Sequence, residues 1–329
     1  MGRPGAVSLP DLFRMTCHVS SRRAAHARLC PVAGHARTAD PSLTLGMTTL
    51  PARLWPLETC GFVSAWGDLE VGPDPGPIAL IDAGSGGLNH PSIRSRISKY
   101  VQPRSGTPST GVHGGAVAAT IAAVRDPQTM AGACASTLHV YNVWTTTGFD
   151  SRSCHAALDD AIASGCRVVN FSLGSLDRDA VPEAAVKRCI DRGIVVVAAM
   201  GDLESLGSPM MYPAGYDGVI AVGSIDRNDL RRRGSSIGRH MSIAAPGDDV
   251  WSTDGDNAFR VWRGTSFSSA FVAAAAWLAV RRRPDLTPAE IKRCLEESAF
   301  PHGAGDRPDA ELGHGRLDVA RLASVLESS

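Results

Sequence analysis

The sequence predicts an α/β fold in three layers, with a mainly parallel central sheet and helices on both faces. Three observations carry this. From about residue 76 onward, short apolar runs ending in glycine or a polar residue alternate with segments of helical periodicity. The chain is rich in Ala and Gly but only 5% aromatic, which suits close helix–sheet packing. The polar residues Asp82, Ser172 and Asp202 fall where apolar runs end. In parallel sheets covered on both faces, functional groups gather at those strand ends.

The elements follow in order. Pro77-Ile78-Ala79-Leu80-Ile81 reads as a buried strand ending at Asp82, and HGGAVAATIAAV as a helix of small residues. STLHVYNVW is a strand, and SCHAALDDAIASG a helix closed by Gly165. RVVNFSLGS, VPEAAVKRCIDRG and IVVVAAMG read as strand, helix and strand, followed by the strands GVIAVGSI and MSIAAPG. GTSFSSAFVAAAAWLAVRRR is a glycine turn and a long buried helix. TPAEIKRCLEESA starts with Thr287 as N-cap, Pro288 at N1 and Glu290 at N3, a capping box. GHGRLDVARLASVL is a last helix. Residues 1–50 differ: they are rich in Arg, His, Ser and Pro, with few acids. They read as a disordered arm or as sequence ahead of the true start, for which Met47 is a candidate. An organelle-targeting peptide shares that composition. Residues 51–75 are a lead-in segment, and 76–329 form the main domain.

Composition narrows the function classes. The 33 basic and 33 acidic residues balance to zero net charge, which favours neither a nucleic-acid nor a membrane-surface partner. The eight cysteines include no C-x-x-C pair, which argues against a zinc ribbon or redox motif. They read as small buried side chains in a reducing compartment. The first apolar run is broken by Arg14 and His18, unlike a secretory signal. No apolar run reaches the ~18 residues of a transmembrane helix. A cytoplasmic location is expected, and no cofactor or metal.

Three positions have the residue types of nucleophilic acyl transfer, which needs a hydroxyl, a base, an orienting carboxylate and oxyanion donors. Ser266 lies in Gly264-Thr265-Ser266 at the start of an apolar helix, whose free N–H groups and positive dipole end lie nearby. By itself it reads equally as a helix cap. His113 opens a helix in His113-Gly114-Gly115, where two glycines admit close approach. A lone histidine is more often structural. Asp82, at the end of a buried strand, needs a partner that a histidine could be.

The sequence resembles the subtilisin-like (S8) serine peptidase family over about residues 76–320. The first family block appears as Asp82-Ala83-Gly84 with His90-Pro91. The second is His113-Gly114-Gly115-Ala116-Val117-Ala118, and the third Gly264-Thr265-Ser266 with Val272-Ala273. Asn170-Phe171-Ser172-Leu173-Gly174, Tyr212-Pro213-Ala214, Val219 to Gly223 and Ala245-Pro246-Gly247 match family segments in order. The resemblance implies the subtilisin-like three-layer fold, with 76–329 as the catalytic domain of a serine endopeptidase acting on a peptide or protein substrate. It implies Ser266 as nucleophile, His113 as general base and acid, and Asp82 as the group that orients His113. Ser172, Leu173 and Gly174 would lie along the substrate backbone, with Ala199, Met200 and Gly201 lining the specificity pocket.

The sequence departs from the family pattern at three places. Asp202 stands where the family has an Asn that donates to the oxyanion. An ionised carboxylate cannot donate, whereas a protonated one can. Asp202 is therefore expected either to donate when protonated, favouring lower pH, or to point away and leave the work to backbone N–H groups. Ser268 and Ala270 stand where Ala and Pro are usual. Ser92 stands where many relatives carry an acid used for calcium, so no calcium site is expected. The alternatives are a catalytically weak or inactive scaffold of the same fold, or a nucleotide-binding α/β protein. No Walker or dinucleotide loop follows a strand to support the latter.

Overall fold

A computed structural model describes residues 53–178, 183–302 and 308–328. The N-terminal arm lies outside the described residues. In chain order the elements are α1 (Trp55–Thr59), α2 (Phe62–Leu69), β1 (Ile78–Asp82), β2 (Ile97–Val101), α3 (His113–Ala122), β3 (Leu138–Asn142), β4 (Trp144–Thr145) and β5 (Gly148–Phe149). They continue with α4 (Ser151–Ala163), β6 (Val168–Phe171), α5 (Glu183–Asp191), β7 (Val195–Ala199), β8 (Ile220–Ile225), β9 (Ile243–Pro246), β10 (Val250–Asp254), β11 (Ala258–Trp262), α6 (Thr265–Arg282), α7 (Pro288–Ser298) and α8 (Val319–Ser328).

Seven strands form one sheet in the order β2-β3-β1-β6-β7-β8-β9, every pairing parallel. The two-residue period of β1 sends Ile78 and Leu80 to one face and Ala79 and Ile81 to the other. The first face packs under α2, α3 and α6, and the second under α4 and α5. Because both faces are covered, the strands read as continuous apolar runs. The chain crosses from β1 to β3 on one side and reaches β6 on the other, so the sheet order reverses around β1. The C-terminal ends of β1, β6 and β7 therefore border one crevice.

Helix α6 is buried along nearly its whole length, with Trp277 in its C-terminal half fully buried. The Trp277 indole N–H donates to the Gly76 carbonyl at 2.8 Å, tying the helix to the approach to β1. Trp277→Ala should destabilise the fold by about 3–5 kcal/mol, read as a lowered urea midpoint with the m-value unchanged.

Some elements differ from the sequence expectation. The lead-in segment contains α1 and α2, and α2 packs its apolar face on α6 and α8. The strand β2 and the hairpin β10–β11 join the expected elements. The last helix begins only at Val319, because Gly313 and Gly315 have positive φ and Arg316 and Leu317 bond to Phe300 and Ala244. The capping box at Thr287 and Glu290 forms in both directions.

Candidate active site

Asp82 is the last residue of β1 and is 1% exposed. Its Oδ1 accepts from the His113 Nδ1–H at 2.6 Å and from the Ala83 N–H at 2.6 Å. Its Oδ2 is buried without a hydrogen-bond partner among the described residues. A carboxylate on Nδ1 fixes the tautomer in which Nε2 carries the free lone pair. His113 is the first residue of α3. The close seat of that helix depends on its glycines: a Cβ on Gly115 would come within 2.4 Å of the Gly86 carbonyl oxygen.

The His113 ring meets Trp262 and Phe267 edge-on, with centroids 6.1 Å and 5.8 Å apart. Phe267 follows Ser266, so this contact brings the imidazole to the first turn of α6. Burial alone would lower the His113 pKa. The charge and hydrogen bond of Asp82, with a smaller push from Asp202, outweigh it against Arg260 and raise it above the ordinary histidine range.

Ser266 is the second residue of α6, whose N-cap is Gly264, so Ser266 does not cap the helix. Its hydroxyl donates to the Ser172 carbonyl at 3.0 Å, and the Ser172 hydroxyl donates back to the Ser266 carbonyl at 3.1 Å. The Asn170 amide holds the Ser172 hydroxyl at 2.7 Å. These bonds lock the end of β6 to the nose of α6. No hydrogen bond joins Ser266 to His113 among the described residues. A serine hydroxyl turns on one torsion in picoseconds to nanoseconds, and catalytic bonds often tighten only with substrate present. The Ser266 backbone N–H has no hydrogen-bond partner among the described residues.

Asp202 follows Gly201 at the end of β7 and reaches the same helix nose. Its carboxyl accepts from the Thr265 N–H at 3.2 Å and forms an ion pair with Arg232. Gly264 has φ +141, and a Cβ there would lie 3.0 Å from Asp202 Oδ2. Burial pushes the Asp202 carboxyl above the ordinary aspartate range, and Arg232, the Thr265 N–H and His113 pull it back only in part.

The other residues read from the sequence follow or end the strands β6 and β7. Leu173, Ala199 and Met200 are buried, Leu173 and Met200 in the layer under α4 and α5. Gly174 and Gly201 face each other across Met211. A Cβ on Gly174 would lie 3.0 Å from the Met211 methyl, and one on Gly201 would lie 2.2 Å from its sulfur. Sequence reasoning missed two residues, Met211 and Arg232. The signal for Arg232 was present: a buried acid demands a cation, and Arg231-Arg232-Arg233 lies in a nearby loop.

Among the described residues, no group of three or more His, Cys, Asp and Glu is placed to hold a metal. No helix there is long and apolar enough to cross a membrane. The six described cysteines are all free and buried. Burial pushes Cys134, Cys166 and Cys189 up to about 12, so none is an activated thiol.

Residues 77–315 match the Subtilase family, peptidase S8. The chain is 36% identical to Subtilisin DY of Bacillus licheniformis over 57% of its own length and 70% of the relative. It is 35% identical to Subtilisin Savinase of Lederbergia lenta over 69% of its own length and 84% of the relative. A solved lanthipeptide protease shares the fold with a TM-score of 0.71 at 21% identity, covering 85% of this chain and 96% of that one. The chain belongs to the subtilase family of serine endopeptidases.

Proposed function

We propose that the chain hydrolyses peptide bonds in a peptide or protein substrate through Ser266, His113 and Asp82. The observation that carries this reading is the buried 2.6 Å bond from His113 Nδ1 to Asp82, at a sheet end that also meets the Ser266 helix nose. The Ser266 hydroxyl attacks the scissile carbonyl and gives its proton to His113 Nε2. Asp82 stabilises the imidazolium without taking the proton. His113 then protonates the leaving amine, and the acyl group stays on Ser266. Water attacks that ester, again giving its proton to His113, and the acid product leaves. The Ser266 N–H is one oxyanion donor, and Asp202 stands beside the second position, able to donate when protonated. Ser172-Leu173-Gly174 pairs with the substrate backbone as an added strand.

Met211 fills the space between Gly174 and Gly201, so the pocket takes small side chains before the scissile bond. Turnover of a fluorogenic peptide library tests the reading. Cleavage after Ala, Gly or Ser is expected, and Met211→Gly should shift kcat/KM toward Leu and Phe by roughly 10- to 100-fold. No turnover of any member by the folded protein would favour the alternative, an inactive subtilisin-fold scaffold. The ion-paired Asp202 is the observation on that side.

A further inference from the structure

The loop after β8 carries a cation to the nose of the nucleophile helix. Arg232 has a side chain only 11% exposed, and each of its nitrogens has a partner. Its Nε donates to the Ser224 hydroxyl at 3.1 Å, Nη1 to the Arg233 carbonyl at 2.9 Å, and Nη2 to Asp202 Oδ1. The loop is strapped in place. The Arg232 N–H donates to the Ser224 carbonyl at 2.7 Å. Glu204 receives Arg231 at 2.6 Å and the Gly234 N–H at 2.6 Å. Asp202 in turn holds the Thr265 N–H, one residue before Ser266.

An acid beside a developing oxyanion opposes the reaction unless something cancels its charge. A guanidinium held to one carboxylate oxygen does that, and the ion pair then has the net charge of a neutral amide. We propose that Arg232 is a positioning residue of the peptidase site, which compensates the charge of Asp202 and thereby holds it against the N-terminus of the Ser266 helix. This rests on the peptidase reading above. Arg232 acts through Asp202 and not on the substrate itself.

Other charged groups also face Asp202. His113 does so from α3, itself bonded to Asp82 of β1. Arg260 of β11 acts on His113. Arg231 and Arg233 flank Arg232 in the loop, and both favour the charged form of Glu204. Thr265 contributes only a backbone N–H and a hydroxyl. Arg232 is the one cation in direct contact with Asp202 among the described residues, so its removal bears first on that carboxyl. Burial without Arg232 drives Asp202 toward its protonated form.

The test compares the full chain with Arg232→Met, Arg232→Lys, Asp202→Asn and the Asp202→Asn/Arg232→Met double variant. Each is followed by the rate of fluorophosphonate labelling of Ser266 from about pH 5 to pH 9, with melting temperature as a control for folding. Arg232→Met should slow labelling about 10-fold or more at pH 8, with the deficit shrinking toward pH 5. Arg232→Lys should keep most of the rate. The double variant should return to the wild-type rate or above it at pH 8. An unchanged profile in Arg232→Met, or a double variant no faster than the single one, overturns the proposal.

A carboxyl titration by carbon NMR in the Ser266→Ala background needs no activity. Asp202 should titrate higher by about one unit or more once Arg232 is Met. Equal titration overturns the role of Arg232 whatever the labelling shows. Wild-type protein that never labels, with the Asp202 titration still moved by Arg232→Met, overturns the peptidase reading and upholds the charge compensation by Arg232.

Discussion

Ser266→Ala should lower kcat on a cleavable peptide by roughly 10⁶-fold with little change in KM, the size of loss known for subtilisin. No neighbouring group can replace the missing hydroxyl. Thr265 Oγ1 accepts from the Gly201 N–H at 3.1 Å, Ser268 donates to the Pro246 carbonyl at 3.2 Å, and Ser269 donates to the Ser266 carbonyl at 2.9 Å. All three hydroxyls are buried and engaged. The residual rate should still exceed that in water by roughly 10³- to 10⁴-fold, because the oxyanion donors and substrate contacts persist. Burst kinetics with an activated ester provide the check. Wild type should release about one equivalent of leaving group in the burst, and the variant none.

Asp82→Asn should lower kcat by about 10⁴-fold, equivalent to about 5.5 kcal/mol of transition-state stabilisation. Asp82 is both the acceptor for the His113 Nδ1–H and the main charge that favours the imidazolium. An asparagine amide can instead donate to Nδ1 and leave a proton on Nε2, where the base must be free. The substitution also moves the pH profile. His113 works as a base only when neutral, so activity rises as it loses its proton. Its pKa is raised in the wild type, so the acid limb of kcat/KM sits above the ordinary histidine range. Removing the Asp82 charge should move that limb to lower pH. A limb that stays in place would show that Asp82 does not act on His113.

These two opposite demands bear on how fast the enzyme runs. His113 must be neutral to act as a base, and Asp202 must be protonated to donate. Asp202 is pushed up by burial, but Arg232 works against proton uptake. Raising the pH favours the first state and lowering it favours the second. Charge compensation by Arg232 gives the site a way to work while Asp202 is ionised.

The sheet and its main helices were legible because their chemistry is local. The runs IALID, VVNF, VVVAA and IAVGSI are apolar on both faces, as strands of a covered parallel sheet must be. The positions of Asp82, His113 and Ser266 were legible as polar residues at element ends, and the family blocks strengthened that reading. The rest depends on tertiary placement. ISKYV in β2 is a partly exposed edge strand and lacks a long apolar run. VWSTD and AFRVW, joined by Gly255-Asp256-Asn257, alternate as a hairpin should, and Trp262 from this pair reaches His113. Met211 and Arg232 come from loops whose course the local pattern does not fix. Each enters the site by filling a space that the folded strands leave, one of volume and one of charge.

Intact-mass and peptide mapping after treatment with a fluorophosphonate would test the assignment of the nucleophile most directly. One phosphonyl group should attach to Ser266, at a rate that rises with pH as His113 deprotonates, and labelling should vanish in Ser266→Ala. Labelling that persists in Ser266→Ala, or no labelling of folded wild-type protein from about pH 5 to pH 9, would contradict it.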